Sequence, residues 1–220
     1  MSRKNIALHV VFCCLFLFSL QGEAELNLAD EQLTKLEQKY GVQAGKRFKA
    51  WRELIEKSQS LSEEEKLKEV NNFFNMAVLF VGDADNWGAE DYWATPFECL
   101  GKGAGDCEDF SIAKYFTLRE LGVPDEKLRL TYVKALAPYN QAHMVCTYFS
   151  SPSSAPLVLD NLIGEIEPAT NRSDLVPVYS FNGSGLWLAK ARGTGQEVKG
   201  GTGRLAMWQS LKDRMVKDKI

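Results

Sequence analysis

Between Asp30 and Val81 the apolar positions recur three or four residues apart. Leu33 and Leu36 come first, then Phe48, Trp51, Leu54 and Ile55, then Leu67, Val70, Phe73, Phe74 and Ala77. That period is the signature of helices with one buried stripe, and the stretch has room for two or three of them. Ser62-Glu63-Glu64-Glu65 has the S-x-x-E spacing of a capping box, which predicts a helix start at Ser62, with Gly82 placed to close the far end. From Asp106 to Leu121 the residues Phe110, Ile112, Ala113, Tyr115, Phe116, Leu118 and Leu121 are apolar on most sides of a helix, and Gly122 and Pro124 end it. A helix without a polar face is a buried one.

The period then shortens. Strand-like runs at Leu128 to Val133, His143 to Phe149, Leu157 to Leu162, Val176 to Phe181 and Leu186 to Ala189 are separated by Pro, Gly, Ser and Asn clusters. After the Gly-rich stretch Gly193 to Gly203, a final amphipathic helix carries Leu205, Trp208, Leu211 and Met215 on one face. The predicted class is α+β: N-terminal helices and a central buried helix packed on an antiparallel sheet. No repeat appears, and residues 25–220 read as a single domain. Gly82 to Gly105, rich in Gly, acids and aromatics, shows neither period, and so long a connection points to function.

The chain has 220 residues and a formal charge of -3, which suits one globular domain and offers no basic surface for a nucleic acid. Its first residues stand apart. Arg3 and Lys4 precede the charge-free run Ile6 to Leu20, and Gly22-Glu23-Ala24 supplies a small-x-small cleavage site. These are the parts of a secretory signal over residues 1–24. The run falls short of the roughly 20 apolar residues that span a bilayer, so the mature chain is expected to carry no membrane insertion. Cys13, Cys14 and His9 depart with the signal. The mature chain keeps Cys99, Cys107 and Cys146, an odd number, and His143 becomes its sole histidine.

Cys107 opens the buried helix. A thiol there is favoured as thiolate by the helix dipole and the free N–H groups. Gly101, Gly103 and Gly105 leave room for a substrate backbone, the Cys107 N–H can donate to an oxyanion, and Trp87 or Trp93 offers an indole N–H as a second donor. The plainer reading is a buried structural cysteine. Cys99 lies in loop without a helix start, and Cys146, three positions along the strand from His143, faces the other side of the sheet. His143 enters an apolar strand and is the expected base. Asp160 ends Leu157-Val158-Leu159 and is the expected orienting acid, with Asn161 its competitor, since strand neighbours face opposite ways.

Several blocks carry a resemblance. They are Asp91-Tyr92-Trp93-Ala94-Thr95-Pro96, Gly105-Asp106-Cys107-Glu108-Asp109, Ala113 to Leu118, Leu121-Gly122-Val123-Pro124, His143-Met144-Val145, Leu159-Asp160-Asn161-Leu162, Pro177 to Asn182 and Gly185 to Ala189. In this order they resemble the bacterial transglutaminase-like cysteine proteinases, a likeness that runs from about Trp87 to Ala189. The resemblance implies a papain-like, transglutaminase-like core. It implies a periplasmic, calcium-dependent endoprotease that clips the N-terminal region of a large cell-surface adhesin, often beside a di-alanine, and so releases biofilm cells. It further implies control by an inner-membrane receptor that senses cyclic di-GMP and sequesters the protease with its periplasmic domain.

It also implies calcium at Asp106, Glu108 and Asp109, although acids in a first helical turn need no metal and simply complement the dipole. Asp83-x-Asp85 with Gly88 fails as an EF-hand, because Trp87 and Ala94 stand at the fifth and twelfth positions. Asp83, Asp85, Glu90 and Asp91 remain candidates to lend a ligand from the loop. Two other functions stay open at this level: a transglutaminase that passes the thioester to an amine, and a non-catalytic calcium-responsive binding module.

Overall fold

The computed structural model describes residue 26, residues 28–189 and residues 195–218. The expected signal segment with His9, Cys13 and Cys14, and Gly193 of the Gly-rich stretch, lie outside the described residues. Among those described, no helix is long and apolar enough to cross a membrane.

Three helices form the N-terminal layer: α1 (Asp30–Tyr40), α2 (Val42–Ser58) and α3 (Glu63–Ala77). Gly41, at a φ of 90°, makes the break between the first two, a backbone conformation that side chains resist. The capping box at Ser62 is formed: its hydroxyl accepts from the Glu65 N–H and the Glu65 carboxylate accepts from the Ser62 N–H. Gly82 does not close α3. That helix ends at Ala77 with Val78 already extended, because the chain turns into a strand there. Leu33, Leu36, Phe48, Trp51, Ile55, Leu67, Val70 and Phe74 are buried, as their spacing requires. Each such side chain contributes about 1.5–3 kcal/mol through burial. Trp51 ties the layer to the rest, with edge contacts to Phe74 and Phe97 and an indole N–H donated to Thr117 Oγ1 at 2.9 Å.

The segment without period is structured. It runs through β1 (Leu79–Phe80), α4 (Asp83–Asn86), α5 (Pro96–Lys102) and β2 (Ala104–Gly105), and β1 pairs with β2 in parallel. Thr95 and Glu98 make a second capping box with Pro96 at the first helical position, so Cys99 sits on a helix and not in loop. The T-P-F-E signal is short and was masked by the aromatics around it. The buried helix follows as α6 (Cys107–Glu120), with Ile112, Ala113 and Leu118 fully inaccessible.

The sheet comprises β3 (Leu128–Ala135), β4 (Gln141–Tyr148), β5 (Leu157–Leu159), β6 (Glu167–Pro168), β7 (Leu175–Phe181), β8 (Leu186–Leu188) and β9 (Gln196–Glu197). The spatial order is β6-β5-β4-β3-β7-β8-β9, antiparallel at every pairing. One face, with Leu128, Leu130, Met144, Cys146 and Leu159, joins the helical core. The other carries a small separate cluster of Val133, Val145 and Val158. Helix α7 (Ala206–Asp218) closes the assembly, with Trp208 stacked on Phe116 at 5.6 Å. The α+β expectation therefore holds.

Candidate active site

β5, only three residues long, decides where the chemistry sits. It pairs with β4 only from Cys146 to Tyr148, so it leaves the edge of β4 open at His143 and Met144. The start of α6 occupies that opening. Ser111 Oγ donates to the Met144 carbonyl at 2.9 Å, and the Met144 N–H hydrogen-bonds the Cys107 sulfur. Cys107 is the first residue of α6, preceded by Asp106 in extended conformation. Its thiol donates to Glu108 Oε2 at 2.8 Å. Burial pushes the Cys107 thiol well above its ordinary range, and the charges of Glu108 and Asp106 add to that, against the pull of the helix terminus towards thiolate.

His143 and Asp160 meet. Nε2 of the imidazole lies 2.8 Å from Asp160 Oδ1, and both side chains are sealed from solvent. β5 ends at Leu159, so Asp160 takes the first position beyond the strand and faces the histidine across the gap that β5 leaves. Oδ1 also accepts from the Leu162 N–H at 3.0 Å, and Oδ2 accepts from Arg172 Nη2 at 2.7 Å. Burial works to raise this carboxyl. The hydrogen bond and charge of His143, the Leu162 N–H and Arg172 outweigh it and hold the group at about 2. The backbone carbonyl of Asp160 is fixed as well, by Asn75 Nδ2 at 2.8 Å and Lys114 Nζ at 3.1 Å.

The acids near the thiol are in the opposite condition. Asp83, Asp106 and Asp109 present carboxylate oxygens within 4.8 Å of one another, and so do Asp83, Asp91 and Glu108. Asp83 Oδ1, Asp106 Oδ1 and Asp109 Oδ2 are buried with no hydrogen-bond partner. Their second oxygens set the loop: Asp83 Oδ2 accepts from the Tyr92 N–H at 2.6 Å, and Asp109 Oδ1 from the Ala94 N–H at 2.7 Å. Burial first, then the neighbouring carboxylates, pushes Asp106 up to about 9 and Asp109 up to about 8. Asp83 and Asp91 are raised for the same reasons. Converging hard oxygens left unsatisfied at no exposure are what a divalent cation of the calcium type requires, and these residues fit it.

Of the four loop acids weighed on sequence, Asp83 and Asp91 join Asp106, Glu108 and Asp109, whereas Asp85 and Glu90 point to solvent. The glycines serve packing and not substrate access. A Cβ at Gly101 would lie 2.7 Å from the Tyr40 ring, at Gly103 2.6 Å from the Arg47 guanidinium and at Gly105 2.6 Å from Asp109 Oδ2. The Trp93 indole is engaged by Asp91, and the Trp87 Nε1 is buried without an acceptor. Cys99 and Cys146 are buried free thiols, and burial raises both. Arg172 and Lys114 carried no sequence signal. A cation that serves by reaching a residue 12 or 46 positions away has no local period.

The model of the family described as bacterial transglutaminase-like cysteine proteinase (BTLCP) matches residues 46–187. Among solved structures, Legionella pneumophila LapG is similar to this chain at 43% identity, covering 86% of this chain and 98% of its own, with a TM-score of 0.74. Its calcium-bound form matches at 43% identity and TM-score 0.74, covering 86% and 99%. Its EGTA-treated form matches at 43% and 0.76, covering 86% and 98%. No curated protein matches the chain.

Proposed function

The chain belongs to the bacterial transglutaminase-like cysteine proteinases, and from that membership we propose a calcium-dependent endoprotease whose nucleophile, base and orienting acid are Cys107, His143 and Asp160. The observation that carries the proposal is the 2.8 Å contact between His143 Nε2 and Asp160 Oδ1, beside a helix-start thiol held on the N–H of the very next residue, Met144. With Nε2 committed to Asp160, Nδ1 is the ring nitrogen left to take the thiol proton. The thiolate then attacks the scissile carbonyl, the imidazolium returns its proton to the leaving amine, and water releases the acyl group. Asp160, kept ionised by Arg172 and the Leu162 N–H, holds the ring and stabilises its charged form.

Asp83, Asp106, Glu108 and Asp109 are the residues that would hold calcium, with Asp91 at the rim. The cation would neutralise carboxylates that otherwise keep the thiol protonated, and would order the loop that leads to it. The resemblance of the sequence blocks supports the wider reading. In that reading the chain enters the periplasm by a cleaved signal, cuts the N-terminal region of a large surface adhesin to release biofilm, and is sequestered by the periplasmic domain of a cyclic-di-GMP receptor.

The test is incubation of candidate adhesin N-terminal fragments with the protein, with calcium and with chelator. Cleavage is expected only with calcium, and neither Cys107→Ala nor iodoacetamide-treated protein should cut. Full cleavage by Cys107→Ala would sink the mechanism.

A further inference from the structure

β5 ends at Leu159 and β6 begins at Glu167, so residues 160–166, which open with Asp160, belong to no strand and draw no support from a ladder. Their backbone groups need other partners. Two of these come from the N-terminal helical layer. Asn75 Nδ2 donates to the Asp160 carbonyl and Asn71 Nδ2 to the Gly164 carbonyl, each at 2.8 Å. Four residues apart on α3, the two asparagines share one face of that helix. Together they hold both ends of the turn over residues 160–164.

Stability does not account for this pair. Oδ1 of Asn71 and Oδ1 of Asn75 are both sealed from solvent with no hydrogen-bond partner among the described residues. A buried acceptor left in that state is destabilising, and asparagine is a poor helix former besides. Leucine, of similar volume, would avoid both penalties and strand little. Gly164 is exposed, so water can serve its carbonyl, and Lys114 Nζ already reaches the Asp160 carbonyl at 3.1 Å. What the amides add is a second direction of support: the Asp160 backbone is held from α3 as well as from α6. Residues that break a local rule without a return in stability belong, as a class, to functional sites.

We propose that Asn75, seconded by Asn71, is a positioning residue for the reaction: the pair clamps the unpaired turn to α3 so that the Asp160 carboxylate stays on His143 Nε2. Neither side chain touches the reacting atoms. Both act through Asp160, and through it on the imidazole that takes the Cys107 proton. The proposal rests on the reading of Cys107, His143 and Asp160 as nucleophile, base and orienting acid. It gives the N-terminal helices a part in the chemistry, since a tether on α3 sets the aim of a group that follows β5.

Two readouts test it on the chain from residue 25 onward, with calcium present. That chain holds a single histidine, His143, so the imidazole N–H resonance in an NMR spectrum has one source. Asn75→Leu should weaken or abolish the downfield resonance of the proton shared with Asp160, and should slow alkylation of Cys107 by iodoacetamide about tenfold, without lowering the melting temperature. Asn71→Leu, which loosens the far end of the turn, should act in the same direction and less. Asn72→Ala, at an exposed position of the same helix, should change neither readout. Should Asn75→Leu not fold, the unaltered chain decides, because the side-chain amide protons of Asn71 and Asn75 must then resist exchange with solvent. An unchanged imidazole resonance in Asn75→Leu, an alkylation rate within about threefold of the unaltered chain, the same losses in Asn72→Ala, or freely exchanging amide protons would each overturn the clamp. His143→Ala separates the two levels of the argument: if it leaves alkylation as fast as in the unaltered chain, the reading of His143 as base fails, whereas slowing by His143→Ala and not by Asn75→Leu defeats the clamp alone.

Discussion

Two groups of carboxylates stand on either side of the same strand edge in opposite states. At Asp160 every oxygen has a donor: His143, the Leu162 N–H and Arg172 on the side chain, Asn75 and Lys114 on the carbonyl. The carboxyl is accordingly held at about 2. Around the thiol, Asp83, Asp106 and Asp109 each bury an oxygen with no partner, and Asp106 and Asp109 rise to about 9 and about 8, chiefly through burial and then through neighbouring carboxylates, Glu108 first for Asp106 and Asp83 first for Asp109. The first group is complete within the chain. The second is completed only by something brought from outside. In the proposed protease this arrangement would keep the base aligned and leave the nucleophile under the control of a cation.

The largest effect that would test the contrast is at the completed group. Asp160→Asn should lower kcat/KM on the order of 10³–10⁴-fold, because an amide no longer stabilises the imidazolium and leaves Arg172 facing a neutral partner. Activity within tenfold of the unaltered chain would remove Asp160 from the mechanism.

Next is the incomplete group. Calcium at about a hundred times its dissociation constant adds about 2.7 kcal/mol, which should raise the melting temperature by roughly 5–10 °C. Asp109→Asn, which keeps the bond to Ala94 and removes a charge, should lose most of that rise without lowering the cation-free melting temperature. A melting temperature indifferent to calcium and chelator alike would erase the distinction between the two groups.

Acid separates them further. A carboxyl whose folded value lies below its ordinary 3.8 contributes stability that is whole above that value and vanishes as pH falls through the folded one. For Asp160 the loss should fall between about pH 4 and pH 2 and amount to on the order of 2 kcal/mol. Urea titrations across that window should show the limb in the unaltered chain and not in Asp160→Asn.

The smallest effect is a slope. Burial lowers Lys114 from 10.5 to about 7, against the pull of Asp160. Between those values the unfolded chain binds the extra proton, so stability should rise with pH by less than about 1.4 kcal/mol per pH unit. Lys114→Met should flatten it; an unchanged slope would assign the proton elsewhere.

Much of this protein is legible in one dimension. The 3.6 period marked the N-terminal stretch as two or three helices, the all-round apolar run located α6 and put Cys107 at its start, and alternation along β4 separated His143 from Cys146. Each is a local property, since a helix or strand displays its buried face at a fixed spacing in the chain. Alternation at the end of an apolar run left room for only one of Asp160 and Asn161 at His143, and the charge of a carboxylate, which stabilises an imidazolium, favoured Asp160. Tertiary structure decided the rest. It picked Asp83 and Asp91 and left Asp85 and Glu90 in solvent, turned three glycines from substrate clearance into contacts with Tyr40, Arg47 and Asp109, and brought Arg172 and Lys114 to Asp160. Those outcomes depend on which distant groups share a buried volume. Electrostatic and steric partners of that kind are set by packing in three dimensions and leave no spacing in the sequence to read.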